Sequence, residues 1–206
     1  MIFDPEKQSF KENYKLMVGS IIPRPIAFVS TVSKDGILNL APFSFFNGVC
    51  SDPPTIIFAP ARRPYDGEIK DTLRNIRDTG TFVVNIVSEA FAEAMVACAT
   101  DFDPDVNEFE VSGLTPVPSL KVKPPRVKEA KISFECILNQ IIEIGNQNPG
   151  SGFAVLGTIV LFHVADNVMK DGYINAEKLQ PVARLGGNYY TVPERIFKIV
   201  RKIRPD

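Results

Sequence analysis

Residues 23–58 read PRPIAFVSTVSKDGILNLAPFSFFNGVCSDPPTIIF, and the fold turns on how this stretch is parsed. IAFVSTVS (26–33) is rich in β-branched and aromatic residues and runs into Lys34-Asp35-Gly36, a hairpin-type turn. The following ILNLAPFSFFNGV is apolar but interrupted by Asn39, Pro42, Ser44 and Asn47. Proline cannot donate to a ladder, so Pro42 marks an edge strand or a bulge. PTIIFAPA (54–61) reads as the next strand. Short strands in succession, separated by turn signals, predict antiparallel sheet rather than regular βαβ alternation.

Downstream, DTLRNIRDTG predicts a helix, with Leu73 and Ile76 three apart and Gly80 as its stop. TFVVNIV (81–87) predicts a buried strand. Ser88 is placed to cap a helix carrying Phe91, Met95 and Cys98 at three- to four-residue steps. DFDPDVNEFEVSG (101–113) is acidic and turn-rich, the expected surface excursion, and Pro116, Pro118, Pro124 and Pro125 punctuate the stretch after it. Ala130, Ile132, Phe134, Cys136 and Leu138 then alternate with polar residues, the period of a half-buried strand. FAVLGTIVLFHV (153–164) is apolar on both faces, as an enclosed strand would be. A short helix near residues 176–179 and a basic tail, RIFKIVRKIRP, close the chain; the tail is either a docking surface or a solvated strand or helix. With no repeat or linker, residues 1–206 are expected to form a single domain, a mainly β antiparallel barrel with peripheral α-helices.

Composition narrows the function classes. Hydrophobic content of 45% and charged content of 23% exclude a chain dominated by disorder. A formal net charge of −1 and the lack of a strong basic footprint argue against a nucleic-acid partner. There is no run of about 18 apolar residues for a membrane span, and the polar opening MIFDPEKQSFKENYK is not a secretory signal. Cys50, Cys98 and Cys136 are odd in number and far apart, which fits neither a disulfide framework nor a zinc site and points to a reducing cytoplasm. The only histidine is His163, so no histidine-rich metal site exists.

Three constellations carry possible chemistry. Pro23 and Pro25 stiffen the backbone around Arg24, leaving a pre-positioned guanidinium for a phosphate or carboxylate, or a plain rim arginine. Lys70-Asp71-Thr72 opens the predicted helix, with Arg62, Arg63 and Arg74 close in sequence. A helix N-terminus offers free N–H groups and a positive dipole end to a phosphate, although Asp71 as a simple N-cap among solvated cations is the plainer reading of these residues alone. In NLAPFSFFNG (39–48), amides beside aromatic rings suit a flat heteroaromatic ligand; the plainer reading is a bulged core strand.

Taken in series, residues 23–58 with KDTLRNI, GTFVVNIV, NEFEVSGLT and PVARLGGNYY resemble the flavin reductase-like, FMN-binding split-barrel family, in its flavoredoxin-like and flavin reductase branch. These pieces run in order over most of the chain. The resemblance implies a Greek-key-like split β-barrel that binds FMN. It places the flavin ring on Ala41, Pro42, Phe43, Ser44, Phe45, Phe46 and Asn47, largely through backbone amides. It places the phosphate on Lys70, Asp71 and Thr72, helped by Arg24 or by Arg62 and Arg63, with Thr31 along the ribityl-phosphate side. It further implies a homodimer in which Arg184 and Tyr189 reach the cofactor of the partner subunit, and a nicotinamide-side role for His163, which as a lone strand-end histidine is otherwise structural. The implied activity is hydride transfer from NADH or NADPH to FMN, with electrons passed to oxygen, a partner monooxygenase or another redox protein. The alternative is an FMN electron carrier reduced by a protein partner; a non-redox interaction barrel is the third reading. No GxGxxG fingerprint indicates a nicotinamide preference.

Overall fold

A computed structural model describes residues 1–200; the end of the basic tail, 201–206, lies outside the described residues. The helices are α1 (Phe10–Ser20), α2 (Asp71–Thr79), α3 (Ala92–Ala97), α4 (Glu108–Ser112) and α5 (Ala176–Leu179). The main strands are β2 (Ala27–Val32), β3 (Leu38–Phe43), β4 (Phe46–Ser51), β5 (Pro54–Phe58), β6 (Thr81–Ile86), β9 (Ile132–Ile144) and β10 (Gly152–Val164). Minor pairs are β7 (Pro116–Val117) with β8 (Arg126–Val127) and β11 (Met169–Lys170) with β12 (Tyr173–Ile174). A three-stranded sheet joins β1 (Arg24–Pro25), β13 (Ala183–Arg184) and β14 (Tyr190–Thr191).

The fold is an antiparallel split barrel. Its seven strands lie in the order β3-β2-β6-β9-β10-β5-β4. The outermost strands, β3 and β4, are joined by only Ser44 and Phe45. Two strands at opposite edges can share so short a link only if the sheet rolls up until its edges meet at that corner. The single apolar run of residues 37–49 is therefore two strands, and the Phe45 carbonyl accepts from the Ala59 N–H at 2.8 Å to fasten the corner. Pro42 sits on an edge strand. The Leu40 N–H points away from β2 to the Glu108 carboxylate, and with the two-residue period of a strand Pro42 faces the same way. Its missing N–H therefore breaks no ladder bond.

The inner faces of the strands close on Ala27, Val29, Phe43, Phe58, Phe82, Val84 and Phe153, and Leu73 and Ile76 of α2 plug one end. Phe58 bridges Phe43 and Phe82 at ring-centroid distances of 5.2 and 5.5 Å. The opposite face of β2 is also covered: Phe28 packs with Phe91, Met95 and Phe109 from the helical flank. Gly157 lies at a register shift in β10. A Cβ there would meet Phe82 Cζ at 2.3 Å. Gly157→Ala should therefore overpack a fully buried ring and destabilise the protein by roughly 1–3 kcal/mol. The check is a fall in the urea midpoint with the slope unchanged.

The proline-punctuated residues 115–127 form a strap over the outer face of β6 and β9, held by buried polar side chains. Asn85 Oδ1 accepts from the Val127 N–H at 2.9 Å and from Ser133 Oγ at 2.9 Å, while Ser30 Oγ donates to the Pro125 carbonyl at 2.5 Å. Glu135, fully buried, accepts from the Leu120 N–H at 2.7 Å, the Lys121 N–H at 2.6 Å and His163 Nε2 at 2.6 Å. Burial pushes the Glu135 carboxyl upward, but the bonds from Leu120, His163 and Lys121 outweigh it and hold the group below its usual range.

Two details differ from the sequence reading. Ser88 makes no capping bond; a 3-10 turn over Glu89–Phe91 intervenes before α3. The acidic excursion contains α4, capped by Asn107, whose Oδ1 accepts from the Phe109 N–H at 3.1 Å, and α4 buries Glu108 against the sheet.

Candidate functional site

A polar cleft of about 40 Å³ opens where β3, the start of α2 and the segment before α4 converge. It is lined by Asn39, Ala41, Pro42 and Phe43 of β3, by Arg63 and by Lys70, Asp71 and Thr72 at the start of α2, and by Thr100, Asp101 and Phe102 before α4 with Glu108 at its first position. Two stretches that lie about 30 residues apart in sequence, and that the resemblance assigns to ring and phosphate, thus share one site.

Sequence sets the local geometry of α2. Lys70 takes the N-cap position in extended conformation (φ −70°, ψ 150°) and supplies no side-chain cap. Asp71 is the first helical residue rather than the cap. The first amides with partners are those of Leu73 and Arg74, both donating to the Lys70 carbonyl. The amides of Asp71 and Thr72 have no partner among the described residues, and both residues line the cleft together with Arg63 and Lys70 and the carboxylates of Asp101 and Glu108. An uncapped N-terminus offers an anion the positive end of the helix dipole and its free N–H groups.

A buried network fixes the floor of the cleft. Asn39 Oδ1 accepts from Thr72 Oγ1 at 2.8 Å and from Thr31 Oγ1 at 3.1 Å. Thr31 Oγ1 accepts in turn from Asn75 Nδ2 at 3.0 Å. Asn39 Nδ2 donates to Glu108 Oε1 at 2.7 Å, and the Leu40 N–H donates to Glu108 Oε2 at 3.0 Å. All five side chains are buried. The network locks α2 to β3, so the hydroxyl of Thr72 is turned inward and its backbone N–H is the group offered to the cleft. Burial pushes the Glu108 carboxyl above its usual range. Cys98, also on the lining, has its thiol raised by burial to about 11, so it is not a thiolate at neutral pH.

The charges at the rim are mutually paired. Asp71 meets Arg63 Nη2 at 2.9 Å and also contacts Arg74, and Lys70 Nζ lies 2.5 Å from Asp101 Oδ1. The remaining predicted residues lie elsewhere. Arg24 is buried, and its guanidinium donates to the carbonyls of Val18 and Ile21 at 2.6 Å and of Leu185 at 2.9 Å, and more weakly to Ser44 Oγ at 3.4 Å. It also lies 5.8 Å from the Phe45 ring, so it braces the Ser44–Phe45 corner. Arg62 pairs with Glu143 at 2.6 Å and stacks on Phe153. Arg184 stands opposite Arg24 in register, stacks on Tyr190 and bonds the Gly187 carbonyl. Asn47 is exposed, its Oδ1 accepting from the Gly48 N–H at 2.8 Å. His163 is paired with Glu135 under the strap, outside the cleft. Cys98, Ala99, Thr100, Asp101, Phe102 and Glu108 line the cleft without having been assigned to it from the sequence, and Asn39 entered only as the first residue of the 39–48 stretch. Asn107 before an apolar turn was a usable helix-start signal for α4, but nothing in the sequence marks Glu108 as buried.

A family model described as flavin reductase like domain matches residues 18–183. The crystal structure of nitrilotriacetate monooxygenase component B from Bacillus cereus superposes with a TM-score of 0.92 at 41% identity, covering 97% of this chain and 98% of that one. The 2-nitrobenzoate 2-nitroreductase NbaA of Pseudomonas fluorescens superposes with a TM-score of 0.86 at 32% identity, covering 100% and 99%. For the fold alone, a flavin reductase with a split barrel domain from Shewanella frigidimarina matches at a TM-score of 0.83 and 23% identity, covering 98% and 100%.

Proposed function

The chain belongs to the flavin reductase-like family, and on that premise we propose that it is an FMN-dependent oxidoreductase that takes hydride from NADH or NADPH and passes electrons to oxygen or to a partner monooxygenase. The observation that carries this reading is the uncapped N-terminus of α2, with Lys70 and Arg63, opening into the same cleft as Ala41, Pro42 and Phe43. The amides of Asp71 and Thr72 and the Lys70 ammonium hold the phosphate; Thr31 and Thr72 act through Asn39. FMN supplies two-electron redox chemistry when bound. The cleft is far smaller than the roughly 300 Å³ of an ordinary ligand pocket, so the ring lies outside it, along the Pro42–Asn47 corner that Arg24 braces. The partner acceptor is proposed from the likeness to a monooxygenase component.

A ring on that corner needs a second wall, and we assign it to a second copy of the chain. Val49 is 52% exposed and Phe162 51%, and Ile196, Phe197, Ile199 and Val200 are exposed on the terminal segment after β14. These exposed apolar side chains are the surface we propose the second copy covers. Arg184 and exposed Tyr189 are on the three-stranded sheet and its turn, from which we propose they approach the partner's flavin. His163, bound to Glu135, is proposed to hold the strap rather than to meet the nicotinamide. The three cysteines are free, in keeping with a reducing cytoplasm, and no helix among the described residues is long and apolar enough to cross a membrane.

Titration of apo-protein with FMN, followed by absorbance and by sedimentation, tests both parts. The expected result is saturable binding of one FMN per chain to a dimer. A chain that binds no flavin would overturn the reading.

A further inference from the structure

The cations at the cleft are already neutralised, but the neutralising groups are held very differently. Asp71 belongs to α2 and is fixed between Arg63 and Arg74. Asp101 lies in irregular chain between α3 and α4, and among the described residues its carboxylate contacts only Lys70 Nζ, at 2.5 Å. The backbone amides of Thr100, Asp101 and Phe102 have no partner among the described residues. Asp101 also lines the cleft with Arg63, whose charge it helps to stabilise. A carboxylate on Lys70, lining the same cleft as the two free amides of α2, occupies the ammonium that an anionic ligand group would use.

We propose that Asp101 is a built-in competitor for the phosphate: it holds Lys70 when flavin is absent and must release it when FMN enters, which weakens FMN binding and keeps the flavin exchangeable. The inference rests on the proposed flavin site and adds to it the residue that sets its affinity. A flavin lacking the phosphate never needs Lys70, so its binding should not depend on Asp101. Release of Asp101 leaves a carboxylate close to a phosphate dianion, which adds repulsion to the competition.

The test compares FMN and riboflavin binding to the full-length wild type, Asp101→Asn, Lys70→Gln and the double variant. Asp101→Asn should tighten FMN binding by about fivefold and slow its dissociation, with riboflavin changed by less than about twofold. In the Lys70→Gln background most of that gain should vanish, because the competition needs both partners. Asp101→Ser is the second variant should the asparagine perturb the fold. Unchanged or weaker FMN binding in both variants, or an equal gain for riboflavin, would overturn the proposal while leaving the flavin site standing. A wild type that binds neither flavin would instead sink the flavin reading itself.

Discussion

Lys70→Ala should weaken FMN binding by roughly 10- to 150-fold, equivalent to about 1.5–3 kcal/mol for a lost charge-assisted contact. Riboflavin should bind the variant nearly as well as the wild type. Among the described residues Lys70 carries the only ammonium on the cleft lining, and the amides it accompanies are fixed by the helix. Its removal also frees the Asp101 carboxylate to repel the incoming phosphate. Thr72→Ala should behave differently, because its hydroxyl is buried and committed to Asn39 in the floor of the cleft. That variant should lose stability by about 1 kcal/mol and weaken both flavins alike. Parallel titrations of the two variants with FMN and riboflavin separate a direct phosphate contact from a positioning one.

The largest stability effect is expected at Glu135. Glu135→Ala leaves the Leu120 and Lys121 amides and His163 without their shared acceptor, and should cost about 3–5 kcal/mol. The strap should loosen first, seen as faster hydrogen exchange over residues 118–127. The pH dependence carries its own sign. Because the folded pKa of Glu135 is held below its usual value, its stabilisation is fully present above the unfolded pKa of about 4.3. It is lost as pH falls through the folded value. Wild type should therefore lose stability more steeply than Glu135→Gln below about pH 4.

Much of the barrel was legible because its signals are local. The β2 strand, its turn at Gly36, the α2 stop at Gly80 and the short α5 all lie where periodicity and turn chemistry put them. The division of residues 37–49 into β3 and β4 was not legible. Both halves are apolar, and what separates them is sheet closure, a property of the whole chain. Pro42 did signal an edge, yet its lack of an N–H removes nothing from the ladder, so the free donors near the site come from α2 instead. Lys70, Asp71 and Thr72 were visible as a candidate because a helix start with clustered cations is a local pattern, but only the family resemblance raised them above a plain N-cap among solvated cations. Glu108 and Asp101 were not, since acidic residues in a turn-rich run look solvated until the fold shows what they touch. Arg24 was visible as a constrained guanidinium, but its acceptors, Leu185 among them, lie up to 161 residues away.

The central claim is that this barrel binds FMN and reduces it with a nicotinamide. It is tested most directly by mixing the protein with FMN anaerobically, adding NADH or NADPH, and following the visible flavin bands. The account predicts a yellow protein whose bands bleach with at least one nicotinamide, much faster than those of free FMN without protein. A protein that turns yellow yet stays oxidised with both donors would contradict the reductase and leave a carrier fed by another protein.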